Sequence, residues 1–348
     1  MPAVVYPPFP EGVPVHDSLS TIDYARIKAG DESEIQALWE AATQWGFWYM
    51  TNHGADHFFE PMFEMGRETM LLPLEEKMKY RQGDTGDSFV YKAAGSAYTD
   101  AKGSKDSAEF LNVSKDDVLS YPRVTHFIYP QTVNARMETT IKPFVEACVE
   151  VNKVILNVFN KKLGLPEGCL NKLHPDNEES ICEARCVKVS ASPGSSQSVA
   201  LGAHTDFGSL SFLVNKLGGL QVLRPGETEW KYVKPLPGHV ICNVGDALTF
   251  LSGGILKSCI HRVMPPPLEQ AQYDRWSLVY FHRPANSIRL KPLAEDSPLI
   301  AEALAAAEDQ SQFDAMVTMK EWYAIKYNRG RTSGENDMSK VGKGGMIA

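Results

Sequence analysis

The sequence predicts a mainly β protein with flanking helices, a jelly-roll sandwich or barrel packed by one long helix. Two patterns carry that expectation. Between Arg185 and Pro284, short alternating or β-branched runs recur between Gly, Pro, Asn and Asp. Cys186-Val187-Lys188-Val189, Leu210 to Val214, Leu220 to Leu223, Val240 to Val244 and Ser277 to Phe281 are examples, at a spacing for seven or eight strands. Ahead of them, residues 135–163 set Ile141, Phe144, Val145, Cys148, Ile155 and Phe159 on one stripe, with Gly164 after the end, so this helix needs a surface to cover.

The other elements follow in order. Asp31, Glu34 and the apolar set Ile35, Leu38, Trp39, Ala42 and Trp45 read as a capped amphipathic helix ending near Gly46, with Asp31 accepting from first-turn amides and Glu34 reaching back. Phe47 to Met50 is strand-like and Asn52-His53-Gly54 a turn, after which 61–80 reads as a second helical stretch. Residues 83–105, rich in Gly, Ser, Asp and Ala, read as a long functional loop. Helix resumes over 299–327, and the Gly- and Lys-rich end is expected to be mobile. The division expected is an N-terminal region of helices, edge strands and the long loop (1–120), a strand-rich core with the long and C-terminal helices (121–330), and a tail (331–348).

Composition excludes several classes. In 348 residues, apolar side chains make up 43% and charged ones 22%, proportions of a folding globular chain. The net charge of −8 argues against nucleic-acid binding, which rests on Lys and Arg at phosphates. No stretch approaches the roughly 20 apolar residues of a membrane span. The Pro-rich start lacks a secretory pattern, so a cytoplasmic protein is expected, with no obligatory protein partner evident. The six cysteines read as buried free thiols; Cys182 and Cys186 lack the second pair a structural zinc site needs. The sequon Asn112-Val113-Ser114 has no secretion route to serve it.

Three histidines stand in metal contexts. His204-Thr205-Asp206 reads as a strand entry, where side chains two apart share a side. His261 lies in a second strand-like run, Lys257 to Val263. Two imidazoles and one carboxylate on one face of a metal leave the other face open, as non-haem Fe(II) requires to admit a cosubstrate and dioxygen. A hydrogen-bonded structural pair is the competing reading. His174-Pro175-Asp176 repeats the letters in a polar loop and is expected at the surface. Arg275-Trp276-Ser277 follows His261 on the next strand-like run. Arg275 and Ser277 share a face there, where a guanidinium and a hydroxyl can hold a carboxylate.

With these residues the chain resembles the isopenicillin N synthase-like group of Fe(II)- and 2-oxoglutarate-dependent dioxygenases. Further matches fall in family order: Val13-Pro14-Val15, Trp45 to Gly54, Phe144 to Leu165, His204 to Gly208, Gly218-Gly219-Leu220-Gln221-Val222, Asn243-Val244-Gly245-Asp246, Lys257 to Val263 and Arg275-Trp276-Ser277. The resemblance spans roughly residues 10–330. It implies a double-stranded β-helix core with iron on His204, Asp206 and His261, and 2-oxoglutarate chelating that iron with its far carboxylate on Arg275 and Ser277. It also implies dioxygen as co-reactant, succinate and CO2 as products, and hydroxylation, desaturation or demethylation of a C–H substrate. Many relatives carry an Asn and a Tyr just before a Pro; here Ser190 and Ser192 stand in that stretch, and a shorter hydroxyl can still donate to the cosubstrate. Asn243 and Asp246 read as turn-forming.

Family substrate contacts imply Phe89, Tyr91, Phe110, Asn112, Phe207 and Trp322, an aromatic set suited to an apolar or planar small molecule, with Lys92 or Lys102 as the cations available to a charged one. Two other functions fit the same chain. One is a ferrous oxidase or cyclase independent of 2-oxoglutarate, with Arg275 and Ser277 on the substrate's own carboxylate. The other is a non-catalytic small-molecule binding protein.

Overall fold

The computed structural model describes residues 5–82, 89–100, 102–192, 199–313 and 315–332; nearly all of the expected tail lies outside them. Twelve strands occur among these residues: β1 (Thr21–Asp23), β2 (Phe47–Thr51), β3 (Val90–Lys92), β4 (Ala108–Ser114), β5 (Glu183–Val189), β6 (Leu201–His204), β7 (Leu210–Asn215), β8 (Leu220–Val222), β9 (Lys231–Tyr232), β10 (Val240–Val244), β11 (His261–Val263) and β12 (Arg275–His282). Eight form a large sheet in the order β1-β2-β10-β7-β12-β5-β4-β3, and four a small one, β6-β11-β8-β9. The stretch read as strand-rich holds eight of them, β5 to β12, and the two sheets make the jelly roll. Strands from the first 120 residues complete both edges of the large sheet, β1 and β2 on one side and β3 and β4 on the other.

Period-two alternation sorts the large sheet into two faces. On β12, Trp276, Leu278 and Tyr280 enter the main hydrophobic core, while Arg275, Ser277, Val279 and Phe281 line a cavity between the sheets. The long helix covers the core face. Its regular part runs Lys142–Lys162, entered through a wide π turn at Met137–Ile141, and every residue of the predicted stripe is buried. Trp48 of β2 meets Phe159 edge-on at 6.4 Å. Each large side chain so buried contributes about 2 kcal/mol. Leu19, Trp45, Phe47, Tyr49, Leu220, Val222 and Ile241 form a second, separate cluster.

Local expectations divide. Asp31 caps the helix Glu32–Gln44 through the amides of Ser33 and Glu34. Glu34 does not reach back to Asp31; it accepts from the Asp23 amide at 2.7 Å and pairs with Arg26 at 2.7 Å, because the preceding turn supplies both an open amide and a cation. The second helical stretch is two helices, Asp56–Met70 and Leu74–Met78, since Pro73 cannot continue the first. The long loop contains β3, held against β4. The C-terminal stretch is also interrupted, Pro298–Ala305 and Met319–Thr332 being separate helices. Asn112 is fully buried in β4, which rules it out as a glycosylation acceptor. No helix of the described residues is long and apolar enough to cross a membrane.

Candidate active site

Sheet register assembles the centre. β11 and β6 pair antiparallel with His261 directly opposite His204, so the two imidazoles meet with ring centroids 4.3 Å apart. His204 ends its strand, and Asp206 lies in the turn beyond rather than on a strand with it, which corrects the same-side argument. Asp206 reaches the centre because the large sheet holds it. Asn243 on β10 and Ser211 on β7 are register partners, and both donate to Oδ2 of Asp206, at 2.7 and 2.5 Å. Its Oδ1 faces His204 Nε2 at 3.8 Å and His261 Nε2 at 3.7 Å.

Those separations are too long for hydrogen bonds. The outer ring nitrogens are engaged, Nδ1 of His204 on the Gly202 carbonyl at 2.8 Å and Nδ1 of His261 on that of Cys259 at 3.1 Å. Nδ1 therefore carries the proton and Nε2 presents a lone pair inward. Burial, aided by the His261 ring, pulls His204 down to about 4, so it is neutral at pH 7. Burial alone would raise Asp206; the two imidazoles and the bonds from Ser211 and Asn243 outweigh it and hold the carboxyl below its ordinary value. Three ligand atoms from one carboxylate and two imidazoles, all within 4.8 Å of one another, can hold a divalent transition metal and leave its other positions open.

Arg275 supplies the second half of the site. Its side chain is 2% exposed, and burial lowers it to about 10. It donates to the Gly218 carbonyl at 2.7 Å, Ser277 Oγ at 2.6 Å and Asn215 Oδ1 at 3.0 Å, all neutral acceptors. No carboxylate among the described residues pairs with it, and a buried guanidinium in that position is a cradle for an anion from outside. Gly219 makes room for it: at φ +123° it has no Cβ, and one placed there would meet Arg275 Nε at 2.8 Å. The metal cluster, Arg275 and Ser277 all border the same cavity, partly open to solvent, whose other walls are mainly Phe, Val and Leu.

The remaining sequence candidates scatter. Phe110 and Phe207 line this cavity. Phe89 stacks on His126 at 5.8 Å, Tyr91 donates to Glu109 at 2.6 Å and Trp322 packs edge-on against Phe250 at 5.1 Å, so these three are spent on packing and bonding elsewhere. Asn112 does not border the cavity and instead accepts from Arg185 at 2.8 Å. Lys92 is paired with Asp106, and Lys102 is exposed. Ser190 is exposed and the Ser192 amide bonds the Ala271 carbonyl at 3.0 Å; neither borders the cavity, whose wall on β5 ends at Val189, and Pro193 lies outside the described residues. His174 is buried rather than at the surface, yet remote from the metal cluster, with Nδ1 on the Leu170 carbonyl and Nε2 on Ser209 Oγ, both at 2.7 Å.

Asn243, read as a turn former, lies on a strand and orients Asp206. Asp246 opens a short helix and bonds Thr205 at 3.1 Å, Ser258 at 2.7 Å and Lys326 at 3.3 Å. Local sequence does not mark Ser211, Asn215, Arg185 or Arg283; a polar residue at an inward position of an apolar strand is the available signal for the first two.

Comparison with known proteins agrees with this geometry. The profile of the 2OG-Fe(II) oxygenase superfamily matches residues 171–284, and that of the non-haem dioxygenase in morphine synthesis N-terminal region matches 19–134. A 2-oxoglutarate-dependent dioxygenase of Aspergillus fumigatus is 30% identical over 331 residues, 86% of this chain and 84% of that protein. The 2-oxoglutarate-dependent dioxygenase frbH of a Dothideomycetidae species is 28% identical over 340 residues, 94% of this chain and 95% of its own. In fold, the chain is similar to a full-length Neurospora crassa protein crystallised with alpha-KG and 5-formyluracil (TM-score 0.70, 22% identity, 91% of this chain and 99% of that one). It is also similar to the rice dioxygenase for auxin oxidation (TM-score 0.66, 21% identity, 91% and 98%).

Proposed function

The chain belongs to the Fe(II)- and 2-oxoglutarate-dependent dioxygenases of the 2OG-Fe(II) oxygenase superfamily, and from that premise we propose that it oxidises an apolar or aromatic small organic metabolite by hydroxylation, desaturation or demethylation. His204, Asp206 and His261 hold the iron, and Arg275 with Ser277 holds the far carboxylate of 2-oxoglutarate. The observation that carries this assignment is the pairing, on one cavity, of three inward lone-pair donors with a buried guanidinium that no carboxylate among the described residues pairs with. Iron with dioxygen and 2-oxoglutarate supplies the oxidising power, releasing succinate and CO2.

The chain's own residues bind and orient. The Gly202 and Cys259 carbonyls fix the imidazole tautomers, and Asn243 and Ser211 turn one Asp206 oxygen inward. The Arg275 fork sets the cosubstrate's reach, since it is itself fixed by three bonds. Phe47 lies edge-on to His261 at 5.5 Å, and with Phe110, Phe207, Leu213 and Val279 keeps water from the reacting carbon.

Succinate release tests the reading. With Fe(II) and ascorbate, the protein is expected to convert 2-oxoglutarate to succinate slowly by itself and faster with a substrate present. Arg275→Gln should raise the 2-oxoglutarate concentration needed by about tenfold or more. Turnover without succinate, or unchanged dependence in Arg275→Gln, would assign Arg275 to the substrate's carboxylate and favour the ferrous oxidase.

A further inference from the structure

A second cationic group borders the same cavity, apart from Arg275. β5 and β12 pair with Arg185 opposite Val279 and Glu183 opposite Phe281, so the side chains of these positions share the cavity face. Arg185 donates through Nε to Asn112 at 2.8 Å and through one terminal nitrogen to Glu183 at 2.6 Å; its other terminal nitrogen makes no bond to a described residue. Arg283, 3% exposed, donates to the same Glu183 oxygen at 3.2 Å and to the Ile181 carbonyl, and its Nε is buried without a partner. Both guanidinium groups lie 4.8 Å from the centroid of the Phe281 ring. Gly208 admits the Arg283 stem, since a Cβ there would come within 2.5 Å of its Cγ.

The charges do not close. Arg185, Arg275 and Arg283 border the cavity, against Asp206 on its wall and Glu183 behind two of the arginines. A ferrous ion and 2-oxoglutarate bring equal and opposite charge, and the nearby Lys326 is balanced by Asp246. Among the described residues one positive charge stays unmatched beside a largely apolar cavity wall, where it is costly unless an anion joins it.

We propose that the substrate supplies that anion: it is a monocarboxylate whose apolar or aromatic body lies against Phe110 and Phe281 and whose carboxylate sits on Arg185. The inference rests on the dioxygenase reading and narrows its substrate class. Arg185 is aligned through Val279 with Leu213 on β7, two strands or about 10 Å across the sheet and two residues along it from Ser211, which holds Asp206, so a small aromatic body can span the gap between the carboxylate and the metal cluster. The carboxylate takes the open terminal nitrogen of Arg185, while Glu183 and Asn112 keep the guanidinium plane fixed.

The test uses the full-length protein loaded with Mn(II) and 2-oxoglutarate, which binds without turning over, and isothermal titration with matched acids and amides: phenylacetate and phenylacetamide, naphthylacetate and naphthylacetamide, biphenylacetate and biphenylacetamide. At least one acid should bind about tenfold or more tightly than its amide. Arg185→Gln should erase that preference while the amide still binds, and Arg185→Lys should restore part of it. The proposal fails if no acid in the panel outbinds its amide on the unmodified protein, or if the preference survives Arg185→Gln. Titration of 2-oxoglutarate into the Mn(II) protein reports separately on the underlying reading. Its failure would sink the dioxygenase assignment, whereas tight 2-oxoglutarate binding with no acid preference would sink only the carboxylate.

Discussion

Two stretches of this chain share the letters His-x-Asp and have opposite fates. In His204-Thr205-Asp206, each ring or carboxylate has one side tied to the protein and one side facing a common point. In His174-Pro175-Asp176, both nitrogens of the imidazole are already bonded, and Asp176 points outward to pair with Lys153 at 2.5 Å. The His174 ring stacks instead on the buried His282 at 5.0 Å, and burial pulls it down to about 4. A metal site is therefore defined by which atoms are left without a partner, a property no dipeptide spacing contains.

The largest effect should come from exchanging roles between the two. His204→Ala or Asp206→Ala is expected to abolish both succinate formation and Fe(II) binding. His174→Ala should keep metal affinity and lose roughly 2–4 kcal/mol of stability, for the cavity and two broken bonds. Metal titration and thermal melting of the variants decide this, and a metal-free His174→Ala protein would collapse the distinction.

A smaller effect sharpens it. Asn243→Ala leaves the Asp206 carboxylate held by Ser211 alone, and Fe(II) affinity should fall about 10- to 100-fold. Unchanged affinity would mean that the bond from Asn243 does not position Asp206.

The smallest concerns protons. The folded protein keeps His174 neutral to about 4, whereas the unfolded chain protonates near the ordinary value of 6.5. The unfolded state therefore binds the extra proton, and this contribution to stability is complete above 6.5 and lost as pH falls toward 4. His282, held below its ordinary value by burial and by the adjacent His174, acts in the same sense. The melting temperature of His174→Gln should decline less over that interval than the parent's, by a few degrees; parallel curves would exclude His174 as a source of the acid sensitivity.

The strand-rich stretch, the striped helix and the Asp31 cap were legible because each follows from periodicity or bonding within a few residues. The three metal-site residues and the Arg275–Ser277 pair were legible because their residue types are unusual beside apolar strands. The sequence suggests a surface position for His174 because its polar neighbours, Asp176 to Glu179, say nothing about the helix and sheet that close over it. The cluster of Asn, Gly and Asp suggests a turn at Asn243, whereas the pairing of β10 with β7 makes Asn243 a partner of Ser211.

The sequence alone thus determined the class of fold, the donor set and an arginine suited to a carboxylate, all carried by local pattern and side-chain chemistry. Tertiary structure decided which atoms are left open: the lone pairs at the metal cluster, the buried charge of Arg275 with no carboxylate partner among the described residues, and the Arg185 and Arg283 groups sharing one Glu183. Those depend on register between strands far apart in the chain, and a shift of one residue would send every inward side chain to the opposite face.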